Sequence, residues 1–255
     1  MDVPPSFMSL LSSFQSGCRI VVVGASGGIG NAFVRSLASD SNTSQVFAFS
    51  RSSQHFDNES VTSGSIDISN EESIARCAAV ATQDGPLDLV IIATGLLWDG
   101  DDLQPEKSMR ELQHQNLYRA FEINAAGPAM VAKHFLPHLS KGRKSVFAAL
   151  SARVGSIGDN RLGGWYAYRA SKAALNMLLK TLSIEHARLW PKSIIVGLHP
   201  GTVDTGLSEP YTQRTPAEKL FTPEMAAGYL IRVIDRVQPV DSGNVIAWDG
   251  VLVEN

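Results

Sequence analysis

Short apolar runs of strand length alternate with longer stretches in which apolar residues recur at intervals of three and four. The runs lie at 19–23, 46–50, 64–68, 87–94, 145–150, 193–198 and 244–248, and the helical stretches at 28–38, 71–82, 117–139, 166–189 and 223–236. Runs such as Val21, Val22 and Val23 are apolar at every position, as expected of strands buried on both faces. The pattern predicts a single-domain α/β fold, a doubly wound parallel sheet of about seven strands with helices on both faces and right-handed crossovers. Residues 1–18 read as an N-terminal extension and 19–255 as one domain, with no internal repeat or dividing linker. Segments 96–108 and 206–221 interrupt the alternation. They are rich in Asp, Pro, Thr and Glu and follow carboxyl ends of strands, where such sheets bind ligands. The second is a candidate substrate lid or a variable surface insertion.

Composition narrows the class. Of the 255 residues, 44% are hydrophobic and 18% charged, as in an ordinary soluble domain. A net charge of -3 without a Lys/Arg cluster gives no reason to expect nucleic acid. Cys18 and Cys77 stand far apart, which suggests neither a disulfide framework nor a zinc site and fits a reducing, cytoplasmic setting. No apolar run is long enough for a membrane span. The first 18 residues lack a basic n-region, so a terminal extension is expected rather than a signal peptide.

The first strand candidate ends in VVVGASGGIGNAF, where Gly24, Gly28 and Gly30 open a helix. Glycines there allow a sharp turn and close approach to a pyrophosphate, whose charge the helix N-terminus stabilises. The second candidate ends in Ser50 and Arg51, where an NAD site would place a carboxylate for the ribose hydroxyl. Lacking that repulsion and offering a guanidinium, the position favours the 2'-phosphate of NADP.

Further motifs follow in order: IIATG at 91–95, YRASK at 168–172 and HPGTVDT at 199–205. With the glycine turn they make the chain resemble the short-chain dehydrogenase/reductase family, most closely its C-factor-like branch, over residues 19–250. The resemblance implies a Rossmann-type NAD(P)-binding reductase domain with NADP(H) as cofactor. It also implies a small-molecule carbonyl or alcohol substrate and a homodimer or homotetramer built on the two long helices. Gly24, Ser26, Gly28, Ile29 and Gly30 would hold the pyrophosphate, and Ser50 and Arg51 the adenosine end. Asp67 and Ile68, ending the third strand, would lie beside the adenine, and Ala93, Thr94 and Gly95 replace the usual Asn-Ala-Gly. Pro200, Gly201, Val203 and Thr205 would back the nicotinamide.

Carbonyl reduction requires a proton donor at the oxygen and charge stabilisation as the alkoxide forms. Tyr168 and Lys172, at i and i+4, share a helix face, and the ammonium is expected to lower the phenol's pKa toward working pH. In the family picture Lys172 also binds the nicotinamide ribose, and Asn124 holds a water that links the lysine to solvent. The family's serine stands three residues before a glycine, which here is Ala152 before Gly155. Ser151, beside it, is the candidate taken, with Ser156 or no serine as the alternatives. His134 and His138 are spaced like metal ligands, but Pro137 and the missing acid between them argue against a zinc helix, and no metal is expected. Trp98, Arg153, Trp165, His199 and Tyr211 fall where the family's substrate cleft would be. Two functions remain open: reduction of a ketone or aldehyde, and an NADP-binding signalling or scaffold role without turnover. An epimerase would need a larger carboxyl-terminal domain.

Overall fold

A computed structural model of the chain describes residues 9–212, 216 and 219–254. Residues 1–8 of the extension, 213–215, 217 and 218 of the candidate lid, and 255 lie outside the described residues. The strands are β1 (Cys18–Val23), β2 (Thr43–Ser50), β3 (Val61–Ser65), β4 (Leu89–Ile92), β5 (Ser145–Leu150), β6 (Ser193–His199), β7 (Thr202–Val203), β8 (Leu220–Phe221) and β9 (Val245–Ala247). The α-helices are α1 (Gly28–Ala38), α2 (Glu71–Thr82), α3 (His114–Phe121), α4 (Gly127–Phe135), α5 (Tyr166–His186) and α6 (Pro223–Arg236). Seven strands form one parallel sheet in the order β3-β2-β1-β4-β5-β6-β9, with the order reversing between β1 and β4. This is the doubly wound arrangement the pattern predicts.

Each strand feeds both cores because successive side chains point to opposite faces. Ile20 and Val22 of β1 pack with Phe33 and Leu37 of α1 and Leu230 and Ile234 of α6. Val21 and Val23 pack with Ile74 of α2, Phe135 of α4 and Leu175 of α5. Two helices start on side-chain caps: Asn70 accepts from the Ser73 amide before α2, and Thr222 from the Met225 amide before α6.

Several boundaries differ from the sequence pattern. The third strand spans 61–65, not 64–68, because its register with β2 ends at the Ser50–Ser65 pair. Asp67 therefore lies past the strand in a turn, its carboxylate accepting from the Ser69 amide and hydroxyl. The stretch 117–139 is not one helix. A π-helical turn, Glu122–Ala126, separates α3 from α4, and a 3-10 turn, Leu136–His138, follows. The pairing of β7 with β8 was not visible, since two residues carry no periodicity. No described helix is long and apolar enough to cross a membrane.

Residue 18 is not the edge of a free tail. Leu11 and Phe14 are buried in the core under α1 and α6, and the Leu11 amide donates to Asp40 at 3.1 Å. Ser12 and Ser13 bond to Asp235 of α6. Phe14→Ala is expected to destabilise the protein by about 3 kcal/mol in urea unfolding, the cost of emptying a buried phenylalanine site. An unchanged midpoint would show that this segment lies off the core.

Candidate active site

At the carboxyl edge of the sheet, the turn from β1 into α1 is fixed by close contacts. Gly24 has φ +96, and a Cβ there would stand 2.8 Å from the Ala93 carbonyl carbon of the β4 exit. A Cβ on Gly30 would lie 2.1 Å from the Gly24 oxygen. Only glycine fits either position. Beyond the turn opens a cavity of about 530 Å³. It is lined by Gly24, Ser26, Ser50, Arg51, Asp67, Ile68, Ala93, Thr94 and Gly95, nine of the residues expected at the cofactor.

The lining fits a dinucleotide phosphate. The N-terminus of α1 has no side-chain cap and no acidic residue in its first turn, leaving it open to an anion. Thr94 Oγ1, in the cavity wall, is buried without a hydrogen-bond partner among the described residues. Arg51 is exposed and forms no ion pair among them. The Ser50 hydroxyl donates to the Ser52 carbonyl at 2.7 Å. The Asp67 carboxyl is held below its ordinary range by Ser69 and then by the charges of Arg51 and Arg119. Arg119 and Trp98 also line the cavity. No motif marked Arg119, which is exposed on α3 and pairs with Glu122 at 2.9 Å.

The other expected cofactor residues do not line the cavity. Gly28 packs against Thr205 and Pro223, and Ile29 packs into the core under α1. Gly201, at φ +80, leaves room for Phe221 and Trp248, and Val203 pairs with Phe221 across β7 and β8. Pro200 links β6 to this segment.

Lys172 is 2% exposed, and its ammonium donates to the Leu150 carbonyl at 2.8 Å, where β5 ends. It stands 5.8 Å from the centre of the Tyr168 ring. Burial lowers its pKa to about 8 and raises that of Tyr168 to about 12. The phenol thus moves opposite to the sequence expectation, because loss of hydration outweighs the lysine's attraction. Asn124 sits in the π-helical turn, fully buried. Its Oδ1 accepts from the Leu96 amide at 2.8 Å, and its Nδ2 donates to the Leu96 carbonyl at 2.7 Å and to Ser171 Oγ at 3.1 Å. Ser171 in turn donates to the Tyr168 carbonyl at 2.9 Å. A Cβ on Gly95 would make ordinary contacts, 3.8 Å from Asn124 Oδ1 and 3.9 Å from Lys172 Nζ, which places both groups next to this residue of the cavity wall.

Helix α5 starts through contacts the sequence did not reveal. Gly163, Gly164 and Trp165 all have left-handed backbones, at φ 63, 66 and 51. Glu106, 2% exposed, holds this lead-in: its carbonyl accepts from the Trp165 amide and its Oε2 from the Ala167 amide at 3.2 Å. The Trp165 ring meets Tyr168 edge-on at 6.3 Å and Tyr211 at 5.3 Å. Trp98 Nε1 donates to the Gly206 and Leu207 carbonyls at 3.0 Å, and the Tyr211 hydroxyl to Gln104 at 2.9 Å. The two irregular segments therefore close on each other beside the tyrosine. His134 pairs with Glu71 at 3.0 Å.

Ser151 faces α5. Its hydroxyl donates to Asn176 Oδ1 at 2.6 Å, and Asn176 lies eight residues, about 12 Å along the helix axis, beyond Tyr168. Ala152 has an extended backbone, and Ser156 Oγ accepts from the Asp159 amide.

The sequence model described as short chain dehydrogenase matches residues 19–216. The 1-hydroxy-2-glutathionyl-2-methyl-3-butene dehydrogenase of Rhodococcus sp. (strain AD45) is 34% identical over 74% of this chain and 78% of its own. The C-signal of Myxococcus xanthus is 35% identical over 70% of this chain and 98% of its own. The NADPH-bound carbonyl reductase from chicken fatty liver shares the fold with a TM-score of 0.82, at 23% identity, covering 95% of this chain and 96% of that one.

The raised tyrosine pKa is open to direct measurement. In an ultraviolet titration, the difference between wild type and Tyr168→Phe should show a tyrosine still protonated at about pH 10.5, half ionised near 12. Ionisation of that residue at or below pH 10 would show that the lysine dominates.

Proposed function

We propose, from the premise that the chain belongs to the short-chain dehydrogenase family of oxidoreductases, that it reduces a ketone or aldehyde with NADPH. The observation that carries this reading is the pairing on α5 of a half-buried Tyr168 with a buried Lys172 whose ammonium lies beside Gly95, a residue of the wall of a cavity with an uncapped helix N-terminus and a free arginine. Bound NADPH would supply a hydride to the carbonyl carbon. Tyr168 gives its phenolic proton to the carbonyl oxygen, so that the product is the alcohol and the phenolate regains its proton from solvent. A phenol with a pKa near 12 is protonated throughout the neutral range, which suits it to donate. Lys172, charged below about pH 8, stabilises the phenolate while it lasts, and Asn124 and Ser171 hold the helix turn between them. In this reading Ser151 acts on the site through Asn176.

Gly24, Ser26 and Gly27 with the α1 N-terminus would hold the pyrophosphate, Arg51 the 2'-phosphate, and Asp67 and Ile68 the adenine end. The segment from Pro200 to Thr205 would back the nicotinamide. The apolar residues Tyr118 and Phe121 on α3 and Met177 and Ile184 on α5 are exposed, which supports pairing of two copies through these helices as a dimer or tetramer. Two free, buried cysteines accord with a reducing, cytoplasmic setting. A second reading, an NADP-binding signalling or scaffold protein, draws support from Ser151, whose hydroxyl is committed to Asn176.

Tyr168→Phe should lower kcat for carbonyl reduction by at least about 100-fold, the usual share of a general acid, with NADPH affinity and melting temperature unchanged. NADPH binding with no turnover across a panel of aldehydes and ketones would favour the second reading. Arg51→Ala should weaken NADPH binding about 10- to 100-fold, as expected for a lost charge-assisted contact, and leave NADH binding unaltered. Equal losses for both cofactors would remove the arginine from the phosphate site.

A further inference from the structure

A carbonyl oxygen that turns into an alkoxide is stabilised best by two hydrogen-bond donors, and the tyrosine is one. The place where the family carries a serine is Ala152, which has no donor. The Ser151 hydroxyl is spent on Asn176. A second donor would have to come from another element.

His199 ends β6 at the same edge. Leu150 pairs with Leu198, so His199 is the lateral neighbour of the chain leaving β5. Its side chain lies on the α5 face, because Gly197, two residues earlier, is bounded there by Leu179 of α5 and by Ser151. The imidazole Nδ1 accepts from the Arg153 amide at 3.4 Å. Arg153 opens the 3-10 turn Arg153–Gly155, and that turn is seated against the catalytic part of α5. Gly155 packs on Lys172, and Arg169 Nη1 donates to the Val154 carbonyl at 3.3 Å. The imidazole is thus linked through one short turn to the residues flanking Tyr168.

With Nδ1 accepting, the neutral ring carries its proton on Nε2. That nitrogen has no hydrogen-bond partner among the described residues, yet it is not among the polar atoms sealed from solvent. Burial, and then the Arg153 guanidinium, push the His199 pKa down to about 4 against the opposing pull of Asp249, so the ring stays neutral across the working range.

We propose that His199 is a catalytic residue, its Nε2–H giving the second hydrogen bond to the substrate's carbonyl oxygen in place of the family's serine. This rests on the reductase reading above. The histidine transfers no proton; Tyr168 supplies it.

The test is steady-state reduction of a carbonyl substrate by the full chain, with NADPH affinity measured in parallel by fluorescence. His199→Ala should lower kcat about 100-fold, the usual effect of removing one such donor, with NADPH affinity and melting temperature near wild type. Adding Ala152→Ser to His199→Ala should restore at least about tenfold, since a hydroxyl would then stand where the family has one. A merely structural histidine would not be rescued in this way. Should His199→Ala fail to fold, 15N NMR of the wild type replaces it. The expected spectrum shows a neutral Nε2–H tautomer down to about pH 5 that shifts when the alcohol product is added with NADP. Wild-type turnover in His199→Ala, absence of rescue, an Nδ1–H tautomer or no shift with product would each overturn the proposal while leaving the reductase reading intact. A wild type that binds NADPH but reduces nothing would overturn both.

Discussion

An ammonium group withdrawn from water must be held by oxygen, and Lys172 is held by one: the carbonyl of Leu150, the last residue of β5. That bond ties the height of α5 to the end of a central strand, and neighbouring residues make room for it. A Cβ on Gly155 would lie 2.8 Å from the Lys172 Cβ, and one on Gly95 would reach 3.9 Å from its ammonium. Asn124 can reach Leu96 and Ser171 only because its helix relaxes into a π-helical turn at that point. The sheet, two of its exit loops and two helices thus meet around one buried cation. Burial, which strips water from the ammonium, lowers the pKa of Lys172 to about 8.

The frame was legible because its causes are local. Strands buried on both faces write continuous apolar runs, helices write a period near 3.6, and the glycine turn is forced by contacts of 2.1 and 2.8 Å. The residues that gather around the cavity came from the same signals: Gly24, Ser50, Arg51 and Gly95 all sit at strand exits. The parts that did not show are those fixed by distant partners. Glu106 finds the start of α5 across 61 residues, Asn124 finds Ser171 across 47, and Ser151 finds Asn176 across 25. The break near residue 122 is not encoded by periodicity, because a π-helical turn keeps the same residues helical while shifting which face they present. The direction of the tyrosine's shift was misread for a related reason. Spacing reveals that a cation is near but not how much water has been removed.

That removal of water bears on the direction of the chemistry. A tyrosine whose pKa falls toward neutrality serves as acid and base alike; one raised to about 12 is an acid at ordinary pH and a base only in strong alkali. The pocket that raises it is built by Trp165 on one edge and the loops carrying Trp98 and Tyr211, which close on each other through hydrogen bonds to backbone carbonyls and to Gln104. Any motion that admits water would restore hydration to Tyr168 and Lys172 together and bring their pKa values back toward 10 and 10.5.

The same reasoning separates an enzyme from a binder built on this frame. The cavity is bounded by the glycine turn into α1 and by Arg51, and neither Tyr168 nor Lys172 is in its lining. On the proposed reading, the absence of a hydroxyl at position 152 would remove one donor from the reaction, worth about 3–4 kcal/mol of barrier. That is far less than the total that separates catalysed from uncatalysed hydride transfer. On the proposed reductase reading, a chain that keeps the tyrosine and lysine while lacking the serine would be weakened, not disabled. How much it is weakened depends on whether a neighbouring strand end, such as that of β6, offers a neutral N–H in its stead.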